Sequence, residues 1–332
     1  MNGPNQTADR ESLRGEYARQ ILSVCAGIAS IVLFTTVAQL LLIELIKAYA
    51  PSLFARGWFL VVLSSVPMYL VAMPLSLFFF RAGKPLPPRV GGKLSVLAFL
   101  GLLVICFSIT VVGNLVSNFI QTVISKFTGD PVVNEVGVMT MNTPFWANLL
   151  FMGILAPILE EIFYRKLVID RLRVFGDLPA VLLSGVLFGL IHGTVSQVFY
   201  AILFGILVGL VYVYTGKLRY GIALHLSLNL LGGVLSTEIV RGLNAKGLGE
   251  LDGGQLYAHL ADYPLQVVPY LLYNLFMWAC IIATPVALAL LWKYTRLPKS
   301  PSQPSKKCIA RAFLTNPAAW ILALVIILLF CA

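Results

Sequence analysis

Residues 94–124 read LSVLAFLGLLVICFSITVVGNLVSNFIQTVI and contain no Asp, Glu, Lys or Arg. About 20 apolar residues in a helix cross the hydrocarbon core of a bilayer, so this stretch predicts a transmembrane helix. Eight further apolar stretches of comparable character are found at 21–46, 57–80, 146–164, 178–193, 197–215, 221–235, 265–292 and 313–332. The fold class that follows is all-α, a polytopic transmembrane bundle of about eight to nine helices.

Composition supports this class and excludes two others. Of the 332 residues, 59% are hydrophobic and 11% are charged, and the mean hydropathy is +0.88. A water-soluble domain carries about a quarter charged residues, which excludes an ordinary soluble enzyme. Intrinsic disorder needs low hydrophobicity and high net charge, and the chain has the opposite hydropathy.

The distribution of basic residues predicts the orientation. The net charge is +10, and nineteen of the 24 Lys and Arg residues fall in alternate connections. These connections are 1–20, 81–93, 165–173, 216–220 and 293–312. Because cytoplasmic loops are enriched in Lys and Arg, we expect a multi-pass protein of the cell membrane with a cytoplasmic N-terminus. The basic charge then reflects contact with the lipid bilayer, and no nucleic-acid partner is expected.

The chain is expected to divide into four parts. Residues 1–20 form a cytoplasmic tail, and residues 21–292 form the transmembrane bundle, with a catalytic core at about 145–235. Residues 293–312 form a basic linker rich in Pro and Ser. Pro-rich segments of this kind are extended, so the linker is predicted to tether the last helix, 313–332, at the periphery.

Ionisable residues inside hydrocarbon are costly, by about 3 kcal/mol each, and are therefore candidates for function. Glu161 and Arg165 are four residues apart on one helical face, which predicts an ion pair. Glu160 is rotated by about 100° from its neighbour and has no local partner, which predicts a free base. The alternative is that both carboxylates are interfacial.

Two further pairs at helical spacing follow in the same block. They are Phe188 with His192, and His225 with Asn229. A lone histidine in an apolar helix is usually a core residue, but two such histidines near a Glu-Glu pair favour chemistry. A general base, a second base or proton relay, and two hydrogen-bond donors suit the attack of water on a carbonyl.

These three motifs, Glu-Glu-x-x-x-Arg at 160–165, Phe-x-x-x-His at 188–192 and His-x-x-x-Asn at 225–229, resemble those of the CPBP family without substitution. This family of intramembrane proteases includes CAAX prenyl endopeptidases and bacterial proteins linked to bacteriocin self-immunity. The resemblance covers about 145–235. It implies that Glu160 and His192 activate the attacking water and that His225 and Asn229 form the oxyanion hole. It also implies that Glu161 and Arg165 brace the site.

Metal dependence has two interpretations at this stage. A glutamate and two histidines, here Glu160, His192 and His225, are a known set of zinc ligands. The chain has no HExxH motif, and Asn229 suits an oxyanion donor better than a zinc ligand. No cofactor is therefore expected, and zinc at those three residues is the alternative.

The function predicted from the sequence is a membrane-embedded endopeptidase that cleaves a membrane-associated peptide or protein, with its site open toward the cytoplasm. Two other classes are kept as alternatives: a non-catalytic scaffold or bacteriocin-immunity protein, and a proton- or cation-coupled transporter. One difficulty is depth. His192 lies about 21 Å into its predicted helix, whereas Glu160 is placed near the end of a different one.

Overall fold

The computed structural model describes residues 4–88, 91–129, 134–291 and 304–331, and within these residues it contains helices and turns but no strand. The helices in chain order are α1 Pro4–Tyr49, α2 Phe59–Phe80, α3 Val96–Thr128, α4 Glu135–Asn142, α5 Phe145–Phe175, α6 Asp177–Leu190, α7 Val195–Thr215, α8 Leu218–Asn244, α9 Gly253–Ala258, α10 Pro264–Leu291, α11 Lys306–Leu314 and α12 Pro317–Cys331. In the described chain, seven are long and apolar enough to span a membrane, or eight if α11 and α12 form one bent span. The predicted all-α transmembrane bundle is confirmed.

Each of the nine apolar stretches forms a helix, but the fourth is longer than predicted. The sequence places its end at residue 164, whereas α5 continues to Phe175. The stretch 165–173 is therefore not a loop, and the Arg165 side chain is fully buried rather than in a cytoplasmic connection. At the other end of the sequence, the predicted tail is helical from Pro4 onward and is continuous with α1.

The two ends of the bundle have different connections. At one end, which we call the basic end, α5 turns into α6 and α7 turns into α8. Tyr17 of α1 packs against Phe175 there, with 5.2 Å between ring centroids. At the other end, the loop end, lie α4 and α9, whereas the turn between α6 and α7 lies deeper because α6 is short. Arg241 links α8 to α4 at that end by donating to the carbonyl oxygens of Thr140 and Thr143.

Helices α6 and α7 form a close antiparallel pair that carries one wall of the site. A β-carbon added to Gly185 would lie 2.8 Å from the backbone nitrogen of Ile206, and one added to Gly189 would lie 2.8 Å from that of Ile202. Glycine permits this approach because it has no side chain, as in helix pairs with GxxxG spacing. The glycines therefore have a packing role, and they fix the position of His192 two residues after α6.

The C-terminal segment packs on α1 rather than lying apart from the bundle. Helices α11 and α12 meet at a bend of 72°. At the bend, Asn316 donates from Nδ2 to the carbonyl oxygen of Ala18 at 3.0 Å. Most of the predicted linker, residues 293–303, lies outside the described residues, and its last part belongs to α11.

Candidate active site

The catalytic residues predicted from the sequence lie at one depth, which removes the difficulty noted above. Because α5 extends to Phe175, Glu160 stands sixteen residues before Gly176, and His192 stands sixteen residues after it. At 1.5 Å per residue both lie about 24 Å from the basic end. Helix α6 has only 14 residues and ends within this depth. The two residues therefore meet deep in the bundle.

Helix α5 departs from regular α-helical geometry on both sides of the Glu-Glu pair. The segments Asn148–Leu155 and Ile162–Ile169 are π-helical, and α-helical residues Ala156–Glu161 lie between them. Pro157 contributes no backbone N–H within this short segment. π-helical turns are rare and are frequent at functional sites. The segment that carries Glu160 is thus locally distinct from the rest of the span.

The second glutamate of the pair lies in a buried ion pair, as the sequence predicts. Arg165 donates to Glu161 from Nε at 2.8 Å and from Nη2 at 3.0 Å, and both side chains are fully buried. Arg165 also donates from Nη1 to the carbonyl oxygen of Gly205 at 3.2 Å. The bidentate geometry matches a guanidinium to a carboxylate. This pair joins α5 to α7.

Glu161 has a further partner that spacing alone does not indicate. Its Oε1 lies 3.2 Å from Nδ1 of His225 in α8. The other ring nitrogen of His225, Nε2, lies 3.9 Å from Oε2 of Glu160, which is longer than a direct hydrogen bond. The imidazole is therefore held between the two glutamates and presents Nε2 toward Glu160.

Glu160 has no partner on its own helix, as predicted, but it has one on α2. The hydroxyl of Tyr69 donates to Oε1 of Glu160 at 2.8 Å. Tyr69 lies outside the three motifs, so the sequence pattern did not indicate it. A tyrosine inside an apolar span is a usable signal, since its buried hydroxyl needs a hydrogen-bond partner.

His192 is oriented by the first residue of its own motif. Its Nδ1 lies 2.7 Å from the carbonyl oxygen of Phe188, so Nε2 is the nitrogen that remains for chemistry. The Phe188 ring also contacts the imidazoles of His192 and His225, at centroid distances of 5.0 and 5.8 Å. Phe188 therefore positions both histidines, which gives the motif a physical explanation.

Asn229 is anchored to α5. Its Nδ2 donates to the carbonyl oxygen of Met152 at 2.8 Å. A side-chain amide carries two N–H groups, so one remains for a ligand. Both residues lie in π-helical segments, Met152 in α5 and Asn229 in α8.

The structure brings the four predicted catalytic residues to a single cavity of about 180 Å³. We call it the active-site cavity. Its lining includes Glu160, His192, His225 and Asn229, together with Phe188, Tyr69, Gln197 and Tyr200. The sequence did not indicate Gln197 and Tyr200, which are linked by a hydrogen bond of 3.1 Å. The cavity thus combines a carboxylate, two imidazoles and an amide with apolar walls.

The three residues of the alternative zinc site, Glu160, His192 and His225, line the same cavity. Nδ1 of His192 is held by the carbonyl oxygen of Phe188 and Nδ1 of His225 by Glu161, and Nε2 is left on each ring. Metal-binding histidines are held in the same way, so zinc stays an alternative to the metal-free mechanism. Among the described residues, no three His, Cys, Asp or Glu side chains are grouped at metal-binding distances.

Comparison with known protein families identifies the segment that builds this site. Residues 142–231 match the family described as type II CAAX prenyl endopeptidase, Rce1-like. The matched segment contains all three motifs, confirms the resemblance to the CPBP family and indicates a membrane protease. It covers less than a third of the chain. No curated protein and no solved structure matches the chain.

Proposed function

We propose that the chain is an endopeptidase that cleaves membrane-associated peptides or proteins. The premise is the match of residues 142–231 to the Rce1-like protease family. The observation that carries the proposal is the active-site cavity. There Glu160, which has no ion-pair partner on its own helix, lies with the imidazoles of two histidines and the side-chain amide of Asn229. A structural role alone does not require four polar side chains at this depth, where each is costly.

The proposed reaction is hydrolysis of a peptide bond by an activated water. Glu160, assisted by Nε2 of His192, accepts a proton from water as its oxygen attacks the carbonyl carbon. The carbonyl electrons move to the oxygen, and the resulting oxyanion receives hydrogen bonds from Asn229 and from Nε2–H of His225, which in this proposal is the imidazolium because its Nδ1–H is donated to Glu161. The intermediate then collapses, the C–N bond breaks, and the leaving amine takes the proton from Glu160. No metal is included in this mechanism.

Glu161 and Arg165 act through His225 in this proposal. Glu161 holds Nδ1 of the imidazole at 3.2 Å, so the opposite nitrogen faces the reacting atoms. Arg165 compensates the carboxylate charge, which could not otherwise stay ionised without water. These two residues are therefore positioning residues, as is Phe188.

We propose that substrate approaches from the loop end. The cavities next to Glu160 lie toward the end where α5 begins, and they are lined there by residues of α4 and of the turn before α7. With the N-terminus in the cytoplasm, as the basic residues favour, this end faces away from the cytoplasm. The proposal thus replaces the cytoplasmic opening expected from the sequence.

The substrate class is a membrane-anchored polypeptide, because the apolar spans hold the cavity at bilayer depth. The name of the matched family makes prenylated C-terminal peptides one candidate. Membrane peptides without a prenyl group, including bacteriocin-related ones, are the other. In this proposal either substrate is held in the membrane and brings its peptide bond to Glu160.

The proposal is tested with purified wild type and Glu160→Gln in liposomes that contain a pool of prenylated and unprenylated membrane peptides. New fragments are identified by mass spectrometry, with and without a zinc chelator. We expect fragments from the wild type only, unchanged by chelation. Fragments that disappear with chelator would overturn the metal-free mechanism. Glu160→Gln that produces as many fragments as wild type would contradict the role of Glu160 as the general base.

Two further variants test the assigned roles in the same assay. His192→Ala removes the second group on the water and is expected to abolish cleavage. Asn229→Ala removes one oxyanion donor, which costs about 10²–10³ in rate. If neither variant produces fewer fragments than wild type, His192 does not activate the water and Asn229 does not stabilise the oxyanion.

A further inference from the structure

A second cavity adjoins the active-site cavity on the side of the loop end, and we call it the polar chamber. Its volume is about 280 Å³. The two cavities share lining residues, among them Met152, Gln197, Tyr200 and Asn229. The polar chamber therefore lies directly beside the active-site cavity.

Uncharged hydrogen-bonding side chains dominate the lining of the polar chamber. They include Thr110, Asn114, Asn134, Asn148, Gln197 and Thr237. None of the described residues that line the chamber carries a formal charge. Amide and hydroxyl groups of this kind pair with the N–H and C=O groups of a polypeptide backbone.

Asn148 supplies the observation that points to a ligand. The residue is 1% exposed, and its Nδ2 donates to the carbonyl oxygens of Thr140 and Thr143 at 2.8 and 3.2 Å. Its Oδ1 is buried and has no hydrogen-bond partner in the described part of the chain. An unsatisfied buried acceptor costs about 1–3 kcal/mol, so a donor from a ligand would be stabilising.

The nearest cation is already engaged. Arg241 pairs with Glu238 and donates to the carbonyl oxygens of Thr140 and Thr143. It is not among the residues that line the chamber. Among the described residues, the chamber therefore offers no counter-charge to a terminal carboxylate or an acidic side chain, and burying either without a partner is unfavourable.

We infer that the polar chamber binds an uncharged, extended segment of the substrate that flanks the scissile bond on one side, with Oδ1 of Asn148 accepting from a backbone N–H. This inference rests on the proposed function for the position of the scissile bond. Eleven of the eighteen lining residues lie outside the family match at 142–231, among them Thr110, Asn114 and Asn134. The selectivity for an uncharged segment is thus a property of this chain's own helices.

The test measures peptide retention, so it does not depend on turnover. Protein carrying Glu160→Gln in lipid nanodiscs is mixed with a pool of short palmitoylated peptides of randomised sequence, and retained peptides are sequenced by mass spectrometry. Asn114→Asp is added in a second protein to place a negative charge at the chamber. The matched control is Asn118→Asp, one turn further along α3 and also exposed, but not at the chamber.

We expect Glu160→Gln alone to retain peptides that are uncharged over a short window. Adding Asn114→Asp should enrich Lys within that window about tenfold and deplete Asp, because the new carboxylate attracts a cation bound in the chamber and repels an anion. Asn118→Asp should leave the selection unchanged. The same peptides in all three proteins, or none above empty nanodiscs, would overturn the inference and leave the chamber as a route for water. Selective retention without cleavage by wild type would instead overturn the proposed function alone.

Discussion

At the scale of single residues, two adjacent glutamates have different surroundings because they project from different faces of α5. Glu161 is enclosed by Arg165 and His225. Glu160 faces the active-site cavity and has one hydrogen bond, from Tyr69. Two carboxylates in distinct environments can take separate roles. The proposed split between a positioning glutamate and a reacting glutamate therefore follows from the 100° rotation per residue.

Tyr69→Phe tests the contact that the flanking helix α2 makes with Glu160. Removing a hydrogen bond to a charged group costs about 1.5–3 kcal/mol, and we expect kcat to fall about tenfold or more with little change in KM. Peptide cleavage kinetics in liposomes measure both constants. Tyr212→Phe is the matched control, since Tyr212 donates to Asp170 far from the site. It should lower the melting temperature and leave kcat unchanged; a loss of kcat in both variants would contradict the assignment.

Glu161→Gln leaves the Arg165 guanidinium buried without its carboxylate. Breaking one partner of a buried ion pair costs about 3–5 kcal/mol, so we expect a clear loss of folded yield and a lower melting temperature in detergent. Glu44→Gln is the control, because its pair with Lys47 is exposed and such pairs contribute about 0–1 kcal/mol. If the two variants melt alike, Glu161 does not brace the site.

At the scale of elements, the short helix α6 determines where His192 lies. A helix of 14 residues is about 21 Å long, less than a bilayer crossing needs. The turn after it therefore falls at bilayer depth, and His192 lies in that turn. Helix α7 then returns to the basic end in close contact with α6. The hairpin supplies the wall opposite Glu160.

Gly185→Ala tests the close packing of this hairpin. The new methyl group would lie 2.8 Å from the backbone nitrogen of Ile206, so the helices must separate. Overpacking of this kind costs about 1–3 kcal/mol, and we expect a lower melting temperature together with reduced cleavage. Gly15→Ala is the control, since nothing lies within 4 Å of its added carbon and alanine favours a helix by up to about 1 kcal/mol. Equal melting of the two variants would show that α6 and α7 tolerate separation.

At the scale of the whole molecule, the orientation decides which compartment supplies the substrate. We expect the basic end in the cytoplasm. Cys308 of α11 is a native reporter for that end, because Cys25, Cys106 and Cys280 are buried and Cys331 is removed by Cys331→Ala in all of the proteins. Glu250→Cys adds an exposed reporter at the loop end. A membrane-impermeant maleimide on intact cells should label Glu250→Cys in a Cys308→Ala background. It should label native Cys308 only after the cells are permeabilised. The reverse pattern would show that the basic end faces away from the cytoplasm.

The sequence by itself determined the all-α membrane class, because hydropathy is a local property that each stretch carries alone. It also determined the pair Glu161–Arg165 and the shared face of Phe188 and His192, since residues four apart on a helix are neighbours. These contacts are set by helical periodicity. They needed no knowledge of how the helices pack.

Only the tertiary structure decided how the helices combine into a site. It extended α5 to Phe175 and so brought Glu160 to the depth of His192. It placed Tyr69 on Glu160 and His225 on Glu161, at sequence separations of 91 and 64 residues. It also opened the polar chamber between α3, α4, α7 and α8. Such contacts depend on the packing of distant helices, which no local pattern along the chain encodes.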